Sequence, residues 1–158
     1  MEEMIQIITG CIGSLGFALL YNIRGSRLLF ATLGGLFSPC AFLLLGIFLP
    51  NEILRYFIVA VIISAYAEVM ARLLKTPTTT FIITSLIPLI PGSGLYHTMT
   101  SAFSGNLGGF IEKGANTLGL AGALAAGIIT VAGAAAFISS TERRLRTEKQ
   151  NRTDNPPQ

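Results

Sequence analysis

A chain of 158 residues that is 51% hydrophobic and only 12% charged, with a mean hydropathy of +0.64, is too apolar for an ordinary soluble domain of this size. The net charge of +3 and pI near 9.1 do not point to nucleic acid, because the basic residues sit at the ends of apolar runs rather than on one soluble face. The lipid bilayer is the partner that composition implies, and an all-α integral membrane protein is the expected class.

A spanning helix needs roughly 20 mostly apolar residues. The charge clusters leave five such runs, at about residues 4–21, 28–49, 54–75, 78–99 and 115–138. The first opens with Glu2 and Glu3, where a cleavable signal would carry positive charge, so it is expected to stay in the mature protein. Its Gly10, Ser14 and Ala18 repeat every four positions and would let a neighbouring backbone approach closely. The second run is expected to be interrupted near its middle by Gly34, Gly35 and Ser38-Pro39. The third carries Tyr66, Glu68 and Arg72 and ends at Thr76-Pro77.

The fourth run meets Pro88, Pro91, Gly92 and Gly94 after about ten residues, half a membrane thickness. Two prolines remove internal hydrogen bonds and two glycines loosen the backbone, so two half-helices are expected in place of one straight span. Residues 101–114 read as a polar, Gly-rich loop. The fifth run has small residues at Ala115, Gly119, Ala123 and Gly127. Residues 141–158 read as a basic, disordered cytoplasmic tail ending in Asn155-Pro156-Pro157-Gln158.

With five spans and the N-terminus outside, Arg24, Arg27, Arg72, Lys75, Arg143, Arg144, Arg146, Lys149 and Arg152 lie at the cytoplasmic side, against Arg55 and Lys113 outside. That asymmetry sets the expected orientation, with the C-terminus inside.

Glu68 is the one carboxylate within an apolar span, and Arg72 follows four residues later on the same helical face. An intramembrane carboxylate is expensive, so Glu68 either takes part in transport or forms a structural pair with Arg72. The Pro88, Pro91, Gly92, Ser93, Gly94 break offers free backbone N–H groups at a half-helix start, which suit a carboxylate near the midplane. Tyr96 follows it directly. Ser38 and Pro39, at similar depth, and His97, the sole histidine, are secondary candidates for the same site. Cys11 and Cys40 have no metal-ligating neighbours at suitable spacing, so neither metal nor cofactor is expected. Ser93 and His97 form no hydrolase arrangement, the chain lacks H-E-x-x-H and a phosphate-binding loop, and no enzymatic activity is expected.

The runs Ala67-Glu68-Val69-Met70-Ala71-Arg72, Thr76-Pro77-Thr78-Thr79-Thr80-Phe81 and Ile87-Pro88-Leu89-Ile90-Pro91-Gly92-Ser93-Gly94-Leu95-Tyr96 resemble the threonine/serine exporter family. The similarity covers most of residues 4–140 and is narrower still to the family's C-terminal membrane half, here as a free-standing short subunit. Glu68, Arg72, Pro77, Pro88, Pro91, Gly92, Gly94 and Tyr96 are its motif positions. The resemblance implies a multi-pass protein of the bacterial inner membrane, working with a second, longer membrane subunit of the same family. Implied substrates are threonine and serine, or succinate as in a similar split pair. The expected function is a subunit of a secondary transporter that exports small carboxylate-bearing metabolites. A non-transporting scaffold or channel-like component is the competing expectation, since small-residue faces serve assembly equally well.

Overall fold

Helix ends in this chain are set by residues that tolerate a left-handed backbone. The computed structural model describes residues 2–154. Helix α1, Glu2–Leu20, stops where Asn22 adopts φ 55° and the Asn22 and Ile23 N–H groups donate back to Leu19 O and Ala18 O. Gly25, at φ 68°, turns the chain into α2, Ser26–Phe48. Asn51 caps α3, Glu52–Leu74, by accepting the Leu54 N–H at 3.2 Å. Lys75 at φ 48°, followed by Pro77, closes it. Helix α4, Thr78–Leu86, runs into a single 3-10 turn, Ile87–Leu89, and then α5, Gly92–Phe103. Gly105 at φ 70° reverses the chain, and Asn106 accepts the Gly109 N–H at 3.0 Å at the start of α6, Leu107–Asp154.

The helices pack through small residues. A methyl on Gly10 would meet Pro39 and Pro88, and one on Gly35 would overlap Ser14, so α1 lies antiparallel to α2 with both beside the end of α4. Gly46 abuts Arg55 while Gly34 abuts Tyr66 and Ser85, which makes α2 antiparallel to α3 and parallel to α4. Gly119 faces Ile53, Gly127 faces Ala60, and Arg72 reaches Ser139, so α6 runs parallel to α3. The core between them is Val59, Ala60, Ile63, Leu86, Leu89 and Leu124. A second core, around Ala18, Ala31, Ala67 and Phe81, lies toward the Arg24 turn.

Among the described residues three helices are long and apolar enough to cross a membrane, or four when α4 and α5, bent by 53° at their break, count as one span. The apolar part of α1, Ile7–Leu20, is shorter. These elements make the chain an all-α membrane protein, the class its composition implies, with the helix between α3 and α6 broken where Pro88 and Pro91 lie.

Several expectations need correction. Helix α2 continues through Gly34, Gly35 and Pro39 without interruption, because its glycines are filled by Ser14 and Ser85 of neighbouring helices. The expected loop at residues 101–114 is mostly helix: α5 extends to Phe103 and α6 begins at Leu107, where Asn106 supplies the cap and Gly114 packs on Thr98. Nor does α6 stop near residue 138, since it continues to Asp154 through a run of strong helix formers, Glu142, Arg143, Arg144, Leu145 and Arg146. The Asn155-Pro156-Pro157-Gln158 end lies outside the described residues.

Candidate functional site

Glu68 sits one turn and a half from the C-terminal end of α3. Its Oε1 accepts from Arg72 Nε at 3.0 Å, and its Oε2 accepts from Thr78 Oγ1 at 2.9 Å. Thr78 opens α4, so the carboxylate lies where the free N–H groups and partial positive charge of that helix begin. Arg72 is half-exposed and also donates to Ser139 Oγ of α6 at 3.4 Å. The end of α3, the start of α4 and the body of α6 are thereby tied together. With Ser64, Thr79, Ile82 and Ser139, Glu68 lines a cavity of about 410 Å³ between α3, α4 and α6, the inner cavity if the end bearing Arg72 and Lys75 faces inward as the sequence expects.

The α4–α5 break opens elsewhere. Pro91, Ser93, Gly94 and His97 line an outer cavity of about 240 Å³ with Glu52, Tyr56, Lys113, Asn116 and Thr117. It holds groups of both charge signs, and Lys113 Nζ is steadied by Ser101 Oγ at 3.2 Å. Gly94 is required there: a methyl at that position would lie 2.6 Å from Thr117 Oγ1. Gly92 is exposed, with nothing within 4 Å of an added Cβ.

The structure therefore separates residues that the sequence places in one site. From Thr78, bonded to Glu68, to Pro91 is 13 residues, or roughly 20 Å along a helical path. Glu68 and Arg72 belong to the inner cavity, and Pro91, Ser93, Gly94 and His97 to the outer one. The break also lies beside Tyr56, one turn into α3, rather than at the midplane. Pro88 faces Gly10 of α1, and Tyr96 is exposed, its ring edge against His97 at 5.5 Å between centroids. Between the cavities stands the Val59 to Leu124 core and the contact of Gly127 with Ala60, whose Cβ would be 2.6 Å from a methyl on Gly127. Sequence reasoning missed Glu52, Lys113 and Asn116, of which Lys113 fell in residues 101–114, read as loop. Asn106 as a cap signal two residues ahead of Gly108-Gly109 was the clue that would have placed Lys113 on a helix.

Ser38 and Pro39 fall in neither cavity. Ser38 is fully buried, as are Ser14, Ser64 and Ser85, and none of their Oγ atoms has a hydrogen-bond partner. The other buried hydroxyls behave differently: Thr84, Thr98, Ser101 and Thr117 each donate to the carbonyl four residues back. An unmade hydrogen bond at a buried group costs about 1–3 kcal/mol. Arg55 Nε is likewise buried without a partner, while its Nη2 donates to Leu49 O at 3.0 Å and its guanidinium lies 4.9 Å from the Phe42 ring. Among the described residues no cluster of His, Cys, Asp and Glu has the grouping a metal centre needs.

A bundle of apolar helices, one pair of them bent at a proline break beside a cavity lined with both charge signs, defines a class, the polytopic helical membrane proteins. Residues 6–133 match the family described as Threonine/Serine exporter, ThrE, and the chain belongs to that family. No curated protein and no solved structure matches it. Family and helices together make it a membrane-embedded protein of exporter type.

Proposed function

We propose that this chain is one subunit of a bacterial inner-membrane secondary transporter that exports threonine, serine or a related small carboxylate such as succinate, and that the outer cavity is its substrate site. One observation carries the reading: the helix break brings Pro91, Ser93 and Gly94 to the same small cavity as Glu52, His97 and Lys113. Glu52 suits the substrate ammonium, while Lys113 and the start of α5 suit its carboxylate. A volume of about 240 Å³ is below the roughly 300–1,000 Å³ of sites for drug-sized ligands. That favours a small metabolite. Five spans with the N-terminus outside are part of the same proposal, supported by the alternating helix directions and by the Arg24, Arg27, Arg72 and Lys75 cluster at one end.

A second, longer membrane subunit completes the transporter in this reading. Helix α5 and residues 107–118 of α6 extend about 18 Å beyond the start of α3, with Phe103 90% and Leu107 70% exposed. Such a hairpin is suited to covering by another membrane helix. Export of threonine, serine and succinate from cells producing this chain with and without the longer subunit tests the proposal. Export is expected only with both chains. Full activity of the purified chain alone in liposomes refutes the subunit reading, and no export of any of the three by the pair refutes the exporter reading.

A further inference from the structure

One strip of α3 serves both cavities. Glu52, Tyr56, Ala60, Ser64 and Glu68 recur every four residues, the spacing of a single helical face. The first two line the outer cavity, Ala60 packs on Gly127, and the last two line the inner cavity. Helix α6 repeats that order on its facing side. Its Lys113 and Thr117 are outer, Leu124 and Gly127 pack on α3, and Val131 and Ala135 are inner. Glu52 and Glu68 are thus about 24 Å apart along the helix axis, most of the roughly 30 Å hydrocarbon thickness.

The groups at the two ends match in kind. In the outer cavity Glu52 faces Lys113 and the start of α5. In the inner one Glu68 faces Thr78 and Thr79 at the start of α4, which no side chain caps. The cation there is Arg72, at the cavity edge, which bonds two of the lining residues, Glu68 at 3.0 Å and Ser139 at 3.4 Å. Their pairing leaves bonding capacity unused. Glu68 Oε1 and Oε2 accept one hydrogen bond each, about half of what an ionised carboxylate takes, and Arg72 retains N–H donors beyond the two it commits. Ser64 lies one turn deeper than Glu68. It is 1% exposed, it lines the cavity, and its Oγ has no hydrogen-bond partner. A buried hydroxyl left open toward a cavity is a place for a polar group from a ligand.

We infer that the inner cavity is a second binding site for the solute, shaped for a zwitterionic α-amino acid with a polar side chain. The ammonium meets Glu68, the carboxylate meets Arg72 and the uncapped start of α4, and the side-chain hydroxyl reaches Ser64. A dicarboxylate would bring a second negative charge against Glu68 and is disfavoured. The solute would then have one station at each end of the α3–α6 contact, with the packing of Ala60 on Gly127 between them. The identity of that solute rests on the exporter reading.

The test uses the purified full chain with Cys11 and Cys40 replaced by alanine, so that Thr79→Cys reports on the inner cavity and Asn116→Cys on the outer one. Threonine is expected to slow modification of both by a small methanethiosulfonate reagent, saturably and at lower concentration than valine, its isostere without the hydroxyl. Succinate should leave Thr79→Cys unprotected. Adding Ser64→Ala should raise the threonine concentration for half-protection of Thr79→Cys about tenfold, to that of valine, the effect of one lost hydrogen bond. Protection of Asn116→Cys should not change. A purely structural Ser64 would shift threonine and valine alike. Where a cysteine variant fails to fold, equilibrium dialysis of radiolabelled threonine against the parent chain is expected to count two sites per chain. Protection of Asn116→Cys without Thr79→Cys, a single site by dialysis, equal protection of Thr79→Cys by succinate, or a threonine advantage that survives Ser64→Ala overturns the inference and leaves the exporter reading standing. Protection of neither cysteine by threonine, serine or succinate strikes both.

Discussion

Replacing Gly127 by alanine should force α6 away from α3. The added methyl would lie 2.6 Å from Ala60 Cβ, 2.9 Å from Phe57 O and 3.2 Å from Val61 N. Carbon atoms pack best at about 3.5–4.0 Å, so the helices must part by about 1 Å. Two of the three opposing atoms are backbone, and no rotamer change relieves them. Overpacking of this kind costs about 1–3 kcal/mol, while the better helix propensity of alanine returns about 1 kcal/mol. The net destabilisation is about 0–2 kcal/mol. Gly133→Ala is the control: nothing lies within 4 Å of its added Cβ, so only the propensity gain remains. Thermal unfolding in detergent should show a lower midpoint for Gly127→Ala and a higher one for Gly133→Ala. Export per folded molecule should change only in the former, because the Ala60–Gly127 contact divides the two cavities. Equal midpoints in the two variants would refute the packing argument, and normal specific export by Gly127→Ala would remove the divider from the transport path.

The two glycines of the break should behave differently. Gly94→Ala drives a methyl to 2.6 Å from Thr117 Oγ1 at the outer cavity and should impair export, whereas Gly92→Ala meets nothing within 4 Å and should be tolerated; paired export assays normalised to folded protein check this. Glu68→Gln keeps an acceptor for Thr78 but loses the charge paired with Arg72. With three helices joined there, folded protein should fall, and radiolabelled export per folded molecule tells whether Glu68 also acts in transport.

Much of the fold was legible because lipid leaves the backbone few choices. Apolar runs separated by charges had to be helices, and Pro77, Pro88 and Pro91 marked the ends and the break. What escaped was tertiary. The glycines at 105, 108, 109 and 114 read as loop because local propensity alone disfavours helix, yet Asn106 caps α6 and packing on α5 carries it. Gly34 and Gly35 read as an interruption of α2 for the same reason, although serines from α1 and α4 fill the space beside them. The candidate site was half visible. Pro91, Ser93, Gly94 and His97 do share a cavity, but their partners Glu52 and Lys113 lie 40 residues before Gly92 and 21 after it, beyond the reach of local spacing. Glu68 and Arg72 were found as a pair and misplaced as neighbours of the break, because sequence gives depth along one helix and no register between helices.

The break itself gives its two ends opposite electrostatic signs. Interrupting a helix leaves α4 with a C-terminus of partial negative charge and α5 with an N-terminus of partial positive charge a few residues on. The first lies on the side facing α1 and α2, and the second at the outer cavity, on the side facing α6. In the proposed site a solute carboxylate would therefore settle at the start of α5 and be repelled from the end of α4. A straight helix would offer neither end at this depth, so Pro88 and Pro91 do more than bend α4 and α5 by 53°: they supply the positive pole that Lys113 reinforces beside Pro91, Ser93 and Gly94.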